Sequence, residues 1–237
     1  MILLHHGLGS VASWKAQIPA FCNAGYRVVV YDRWGYGRSD SRQALSLPHF
    51  EEDVTDLLAL LDHLELGQAS LVGHSDGGTI ALYFAARYPV RTKHLVVVAA
   101  HIYIEPKMGA GIQAVQDAFQ RDGRFREGLR RLHGDKTDHL FKSWYEGWIN
   151  ERSLSWDMRP ILKEISCPAF IIQGSLDEHA TPQHAADLAD GLGQARLWME
   201  PGSAHMLAQE IPEKFNREVL SFLEEEMEGK AKCSTKS

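Results

Sequence analysis

Ser75 stands between Gly73 and Gly77 in the hexapeptide Gly73-His74-Ser75-Asp76-Gly77-Gly78, after the apolar Ser70-Leu71-Val72 and before Thr79-Ile80-Ala81-Leu82. A G-x-S-x-G set between a strand and a helix forces its serine into a sharp turn that lifts the hydroxyl above the sheet edge. Only residues without side chains fit where strand and helix crowd together. A serine hydroxyl is a weak nucleophile until a base takes its proton and an acid orients the base. The chain has 12 histidines, so histidine alone discriminates nothing and position must. Asp177, in Gly174-Ser175-Leu176-Asp177-Glu178, follows the apolar run Ala169–Gln173; His205, in Pro201-Gly202-Ser203-Ala204-His205-Met206, follows Arg196–Glu200. Both loops therefore belong to the carboxyl edge that carries Ser75, where open α/β sheets bind ligands. The chain order Ser, Asp, His suits a nucleophile-elbow fold. Glu178 is the rival acid, and Asp177 is preferred to it. The other histidines, His94 and His184 among them, are expected on solvent or helix surfaces.

Acyl transfer also needs donors aimed at a developing oxyanion. The backbone N–H of Asp76 offers one, at the positive end of the helix that follows. The loop His5-His6-Gly7-Leu8-Gly9-Ser10 offers the other, with the N–H of Leu8 as the candidate. The Asp76 side chain has two readings. It complements the helix dipole in a first turn, or it receives a cationic group of the substrate; pointing at the oxyanion it would oppose catalysis. Asp32-Arg33-Trp34-Gly35-Tyr36-Gly37-Arg38-Ser39 contains Gly-x-Gly but lacks the third glycine and an opening helix. It reads as a structural turn and not as a dinucleotide site.

These residues need a scaffold that brings distant loops together, and the chain alternates strand and helix. Ile2–His5, Arg27–Tyr31, Ser70–Gly73, Leu95–Ala99, Ala169–Gln173 and Arg196–Glu200 are short apolar runs without polar alternation, as in strands buried on both faces of a parallel sheet. Phe50, Val54, Leu57, Leu58, Leu61 and Leu64 recur at helical spacing, as do Val11, Trp14, Ile18 and Phe21. Thr79–Arg87 and Pro212–Met227 also read as helices, the last ending at Gly229. The pattern predicts a three-layer α/β sandwich on a mostly parallel sheet. Residues 1–100 and 161–228 form its core. Residues 101–160 hold no strand, carry helices at about 110–119, 125–132 and 136–149, and are too long for a crossover, so a helical cap is expected there. Residues 229–237 are polar and expected to be disordered.

Composition bounds the chemistry. With 237 residues, 44 % of them hydrophobic and 24 % charged, the chain is globular and of single-domain size. A formal net charge of -6 gives no reason to expect nucleic acid. No apolar run approaches the ~20 residues of a membrane span. Three unclustered cysteines show no metal spacing and suit a reducing cytoplasm.

Taken together, His5–Ser10, Tyr31–Asp40, Gly73–Gly78, Gly174–Pro182 and Pro201–Met206 resemble the motifs of the α/β-hydrolase superfamily over nearly the whole chain. The Gly-His-Ser-Asp-Gly-Gly elbow is similar to that of esterase-type members related to biphenyl-hydrolase-like enzymes. The resemblance implies a serine hydrolase of esterase or lactonase type that uses no metal and no organic cofactor. It also marks two departures. The N-terminal antiparallel hairpin usual before the oxyanion-loop strand is not expected here, where that loop starts at residue 5. Either the fold is naturally short or the chain lacks its native beginning, and Arg27–Tyr31 would then lie at an unprotected edge. Asp76 is acidic where many relatives carry methionine.

The leading function is therefore cleavage of a small carboxylic ester or lactone, with Ser75 as nucleophile, His205 as base and Asp177 orienting it. Carbon–carbon bond hydrolysis of a diketone-like substrate uses the same triad, and a non-catalytic small-ligand receptor is a third reading. Phe141, Trp144 and Trp148 share one helical face. Trp144 and Trp148 are expected to roof the cleft, with His101, Tyr103 and Ile104 as its side, favouring apolar or aromatic acyl groups.

Overall fold

The computed structural model describes residues 1–234. Six strands form one parallel sheet: β1 (Ile2–Leu4), β2 (Val29–Val30), β3 (Ala69–His74), β4 (Thr92–Val98), β5 (Ala169–Gly174) and β6 (Ala195–Glu200), in the order β2-β1-β3-β4-β5-β6. Side-chain direction alternates along each strand, and in the central strands β1, β3, β4 and β5 both directions are buried. Ile2, Leu4, Leu71, Leu95, Val97 and Ile171 enter one apolar layer; Leu3, Val72, Val96, Val98, Phe170 and Ile172 enter the other. The first layer is closed by α2 (Glu51–His63), α3 (Asp76–Arg87) and α8 (Pro182–Gly191). The second is closed by α1 (Gln17–Asn23) and α10 (Pro212–Ser234), through Phe21, Phe215, Val219 and Leu223. A short α9 (Leu207–Glu210) precedes α10.

The strand order puts the switch point between β1 and β3. From β1 the chain moves outward to β2, and from β3 it moves the other way through β4, β5 and β6. The register Leu4↔Gly73 and His74↔Val98 brings the carboxyl ends of three strands level, and a crevice opens there.

Between β4 and β5 lie α4 (Pro106–Arg121), α5 (Gly123–His133), α6 (Thr137–Ile149) and α7 (Glu151–Leu154). The two ends of this insertion meet at an antiparallel bridge between Tyr103 and Asp157. Its Leu129, Phe141, Trp144 and Trp148 are continuous with the apolar layer over α2 and α3. No helix among the described residues is long and apolar enough to cross a membrane.

Several expectations need correction. β6 is not buried on both faces: Ala195, Arg196 and Leu197 are exposed, because an edge strand has a neighbour on one side only. The stripe from Val11 to Phe21 is not one helix but a 3₁₀ turn at Val11–Trp14 followed by α1. Pro19 explains the break, since its ring would clash with the Lys15 carbonyl in a continuous helix. His94 and His184 are not on surfaces. His94 is buried, with Nδ1 3.0 Å from the Ser70 hydroxyl, and His184 is buried with Nε2 accepting the Ile102 N–H at 2.9 Å. α10 continues past Gly229 to Ser234, where a disordered tail was expected; one glycine costs a helix only about 1 kcal/mol, and Lys-Ala-Lys favours it. Residues 235–237 lie outside the described residues.

The irregular stretch between β2 and α2 is tied down by charge. Asp53, in the first turn of α2, accepts from Arg33 at 3.1 Å and from Arg42 at 2.8 Å, one guanidinium on each oxygen. All three side chains are buried. Removing one partner of such a cluster strands the other charges without water. Asp53→Ala is expected to lower unfolding free energy by about 3–5 kcal/mol in urea titrations; a loss below about 1 kcal/mol, as for a surface pair, would refute this.

Candidate active site

The elbow begins with crowding. β3 ends at His74, α3 begins at Asp76, and Ser75 alone turns the chain, at φ 53° and ψ −121°. Its N–H is held by the Val98 carbonyl at 2.8 Å, and its carbonyl accepts the N–H of Gly78 at 2.8 Å. A side chain on Gly77 would collide with the Leu4 carbonyl, and one on Gly78 would come within 2.7 Å of the Ala100 side chain. The two glycines thus let α3 start directly against β1 and β4. Ser75 opens onto a cavity of about 340 Å³ between the sheet edge and the insertion.

His205 reaches the same cavity from the loop after β6. Its Nδ1 lies 3.1 Å from Oδ1 and 3.0 Å from Oδ2 of Asp177, which is wholly buried. The carboxylate also accepts the backbone N–H of His179 at 2.8 Å and the Gln173 amide at 3.2 Å. An ionised carboxylate only accepts, so the neutral ring carries its proton on Nδ1 and leaves the Nε2 lone pair free. Glu178, the rival acid, is exposed and accepts the backbone N–H of His205 at 3.1 Å instead of touching the ring.

Leu8 and Asp76, the residues of the two proposed oxyanion donors, also line this cavity. Asp76 is the first residue of α3, where an N–H has no intrahelical acceptor. Leu8 has φ 58°, a left-handed conformation unusual for leucine. The Asp76 carboxylate is not free. Arg33 lies 3.7 Å from it, the Trp144 indole donates to it at 3.2 Å, and the Trp148 indole donates as well. Burial pushes its pKa up to about 6, against the pull of Arg33. Arg33, part of the motif read as a structural turn, thus meets Asp76 from behind without lining the cavity itself.

Among the pocket residues expected from the sequence, Trp144, Trp148 and His101 line the cavity. Tyr103 and Ile104 do not. The chain after His101 turns away along α8, and the Tyr103 hydroxyl donates to Asp187 at 2.8 Å with its ring 4.3 Å from His184. Phe141 turns outward to stack on Phe119 at 3.7 Å. The remaining apolar wall, missed from the sequence, comes from Met108, Ile112 and Val115 of α4 and Phe125, Leu129 and Leu132 of α5. Their helical spacing was visible, but spacing cannot say whether a stripe meets a cavity or a core.

Histidines were the larger omission. His179, His74 and His101 surround the His205 ring at 4.5, 5.3 and 5.9 Å. Burial drives the pKa of each of these rings below the usual histidine value, and that of His6 down to about 4. His205 is itself lowered, first by burial and then by His179 and His6.

Elbow, parallel sheet and helical insertion together define an α/β hydrolase. The family model for the alpha/beta hydrolase fold matches residues 1–137, and the chain belongs to this family. Among curated proteins it is 29 % identical over 231 residues to the serine hydrolase BPHL of Mus musculus, covering 94 % of this chain and 79 % of that protein. It is 30 % identical to the 2-hydroxy-6-oxononadienedioate/2-hydroxy-6-oxononatrienedioate hydrolase of Burkholderia vietnamiensis, covering 94 % and 86 %. Its fold is similar to that of the enol-lactonase of Burkholderia xenovorans, with a TM-score of 0.75, 24 % identity and coverage of 94 % and 90 %.

The lowered pKa of His205 has a kinetic consequence. A base works only when unprotonated, so with His205 as the candidate base kcat/KM of the free enzyme is expected to fall as pH drops through the His205 pKa. The acid limb is expected below 6.5, the ordinary histidine value from which burial lowers His205. His179→Gln, which removes the nearest imidazole, is expected to move that limb upward. A pH–rate profile of both proteins with a neutral ester checks this; a wild-type limb at or above 6.5 would contradict it.

Proposed function

We propose that this hydrolase cleaves small carboxylic esters or lactones through an acyl-enzyme on Ser75. The observation that carries the proposal is the buried Asp177–His205 contact, opening onto the same cavity as the strained Ser75. In this reading Nε2 of His205 takes the hydroxyl proton as Oγ attacks the carbonyl carbon. The Leu8 and Asp76 N–H groups receive the oxyanion, and Asp177 stabilises the imidazolium. His205 then passes the proton to the leaving alcohol. Water, deprotonated by the same histidine, releases the acid and regenerates Ser75. No step requires a metal or an organic cofactor. Cys22, exposed, and Cys167, buried, are in no disulfide among the described residues, which fits a reducing cytoplasmic setting.

Charge on the wall supports an ester over a dicarboxylate. Among the described residues lining the cavity none is Lys or Arg, whereas Asp76 and Glu178 are acidic. Such a wall admits neutral or cationic esters and repels a dianion. Carbon–carbon bond hydrolysis is the second reading, favoured by the relative from Burkholderia vietnamiensis, whose name describes a dioate substrate. Its use here would require two carboxylates in a cavity without a cation. A non-catalytic receptor would have no use for the buried acid behind His205.

Ser75→Ala is expected to abolish hydrolysis of p-nitrophenyl esters and labelling by a fluorophosphonate, with the fold retained. Asp177→Asn should lower kcat roughly 10⁴-fold by selecting the wrong histidine tautomer, while Glu178→Gln stays within about tenfold. The opposite ranking would reverse the acid assignment. Faster turnover of a dienoic diketone than of any ester would favour the second reading.

The insertion supplies the specificity in this proposal. Trp144→Ala or Trp148→Ala is expected to raise KM for a bulky aromatic ester more than for an acetate ester. Equal changes for both esters, with a large fall in Tm, would make the indoles packing residues only.

A further inference from the structure

Leu8 carries the backbone strain of its loop, with φ in the left-handed region. Something must hold it there, and an imidazole pins each of the two peptide planes that flank it. Before it, Nδ1 of His6 donates to the Gly7 carbonyl at 2.6 Å; after it, Nε2 of His133 donates to the Leu8 carbonyl at 2.9 Å. Nε2 of His6 accepts from the Ser13 hydroxyl at 3.2 Å, and Nδ1 of His133 accepts the backbone N–H of Gly37 at 2.9 Å. A carbonyl only accepts, so in each neutral ring the nitrogen facing it carries the proton. For His133 the Gly37 N–H, which only donates, fixes the other nitrogen as acceptor, and that ring cannot be turned over without losing both bonds. His133 is the last residue of α5 and is 3 % exposed, so its ring joins the insertion to the core.

The geometry of a trans peptide turns these contacts into aim. The C=O and N–H of one planar unit point in opposite directions. Holding the Gly7 carbonyl against His6 turns the Leu8 N–H the other way, and among the described residues that N–H has no protein acceptor. The surrounding sequence is built for the clamp. A side chain on Gly9 would come within 2.9 Å of the His6 ring and 2.8 Å of the Ser13 hydroxyl. Gly37, at φ 47°, folds over Asp32, whose carboxylate accepts the N–H of Val11 at 2.7 Å and of Arg38 at 2.9 Å. That turn presents the Gly37 N–H to His133, giving the Asp32–Ser39 motif a purpose beyond reversing the chain.

We propose that His6 and His133 are positioning residues that clamp the Leu8 peptide as an oxyanion donor, so that the oxyanion hole is complete only while α5 is docked on the core. The proposal rests on the reading of Ser75 as an acyl-transfer nucleophile. His133 acts through Leu8 and touches no reacting atom.

His133→Phe keeps a ring against Tyr36, whose centroid lies 6.1 Å away, and removes both hydrogen bonds. Deleting an oxyanion donor outright lowers kcat by about 10²–10³, so misaiming one is expected to lower it by roughly 10–100-fold with KM within about twofold. The second readout is an alkyl boronic acid, whose tetrahedral adduct on Ser75 carries an anionic oxygen into the hole. Its Ki should rise by the same factor as kcat falls. His133→Gln, which retains a donor and an acceptor, should return kcat to within about threefold. If neither variant folds, Ser13→Ala, which removes the hydroxyl bonded to the far nitrogen of His6, carries the same expectation in the same measurements. Unchanged kcat, a fall in kcat with unchanged boronate affinity, or a joint rise of KM and Ki with a lower Tm would each overturn the clamp. A wild-type protein that neither hydrolyses esters nor binds the boronate would overturn the parent reading and the clamp with it.

Discussion

The close approach of α3 to the carboxyl ends of β1, β3 and β4 is the constraint on which the rest depends. Without side chains at Gly77 and Gly78, the helix begins one residue after the strand ends. That single residue, Ser75, must take a backbone conformation that an L-amino acid disfavours. The strain is repaid by the Val98 carbonyl and by the first turn of α3, both of which hold Ser75 in place. The same approach points the positive end of α3 at the cavity and brings the Leu8 loop beside the serine. Candidate nucleophile, helix dipole and candidate oxyanion loop are consequences of one packing contact.

Around that contact the protein keeps imidazoles neutral and carboxylates compensated. Four histidines share the environment of His205, and burial holds all of them below the usual histidine pKa. A ring of neutral imidazoles offers directional donors and acceptors without the charge that would oppose an imidazolium at His205. The buried acids are treated differently. Asp53 receives two guanidinium groups, and Asp76 receives one of them together with two indoles. Arg33 therefore links the stability of the irregular β2–α2 stretch to the electrostatics of the cavity wall.

The insertion is more than a cover. Its α4 and α5 supply the apolar side of the cavity, its α6 supplies the indoles that bind Asp76, and the end of α5 reaches through to the Leu8 carbonyl. Its two ends are joined at the Tyr103–Asp157 bridge, so it is anchored at its base and at its deepest point.

What the sequence by itself determined was local. The strand–turn–helix at Ser75, the α/β alternation and the placement of Asp177 and His205 just past strands were legible, because glycine crowding and apolar periodicity are properties of neighbouring residues. Two loops that follow parallel strands must share an edge, so even the meeting of Ser75 and His205 at one cavity, with Asp177 buried behind His205, could be reasoned from order alone. What only the tertiary structure decided was which groups face each other across long separations. His94 and His184 look like surface histidines until the packing of Phe222 and the Ile102 N–H shows them buried. Tyr103 and Ile104 follow a cavity residue in sequence but leave the cavity because the chain turns. Arg33 meets Asp76, and His133 meets Leu8 from 125 residues away, through contacts that no pattern of spacing encodes. The physical reason is that hydrophobic periodicity is read along one element, whereas a hydrogen bond between two loops depends on how every intervening element packs.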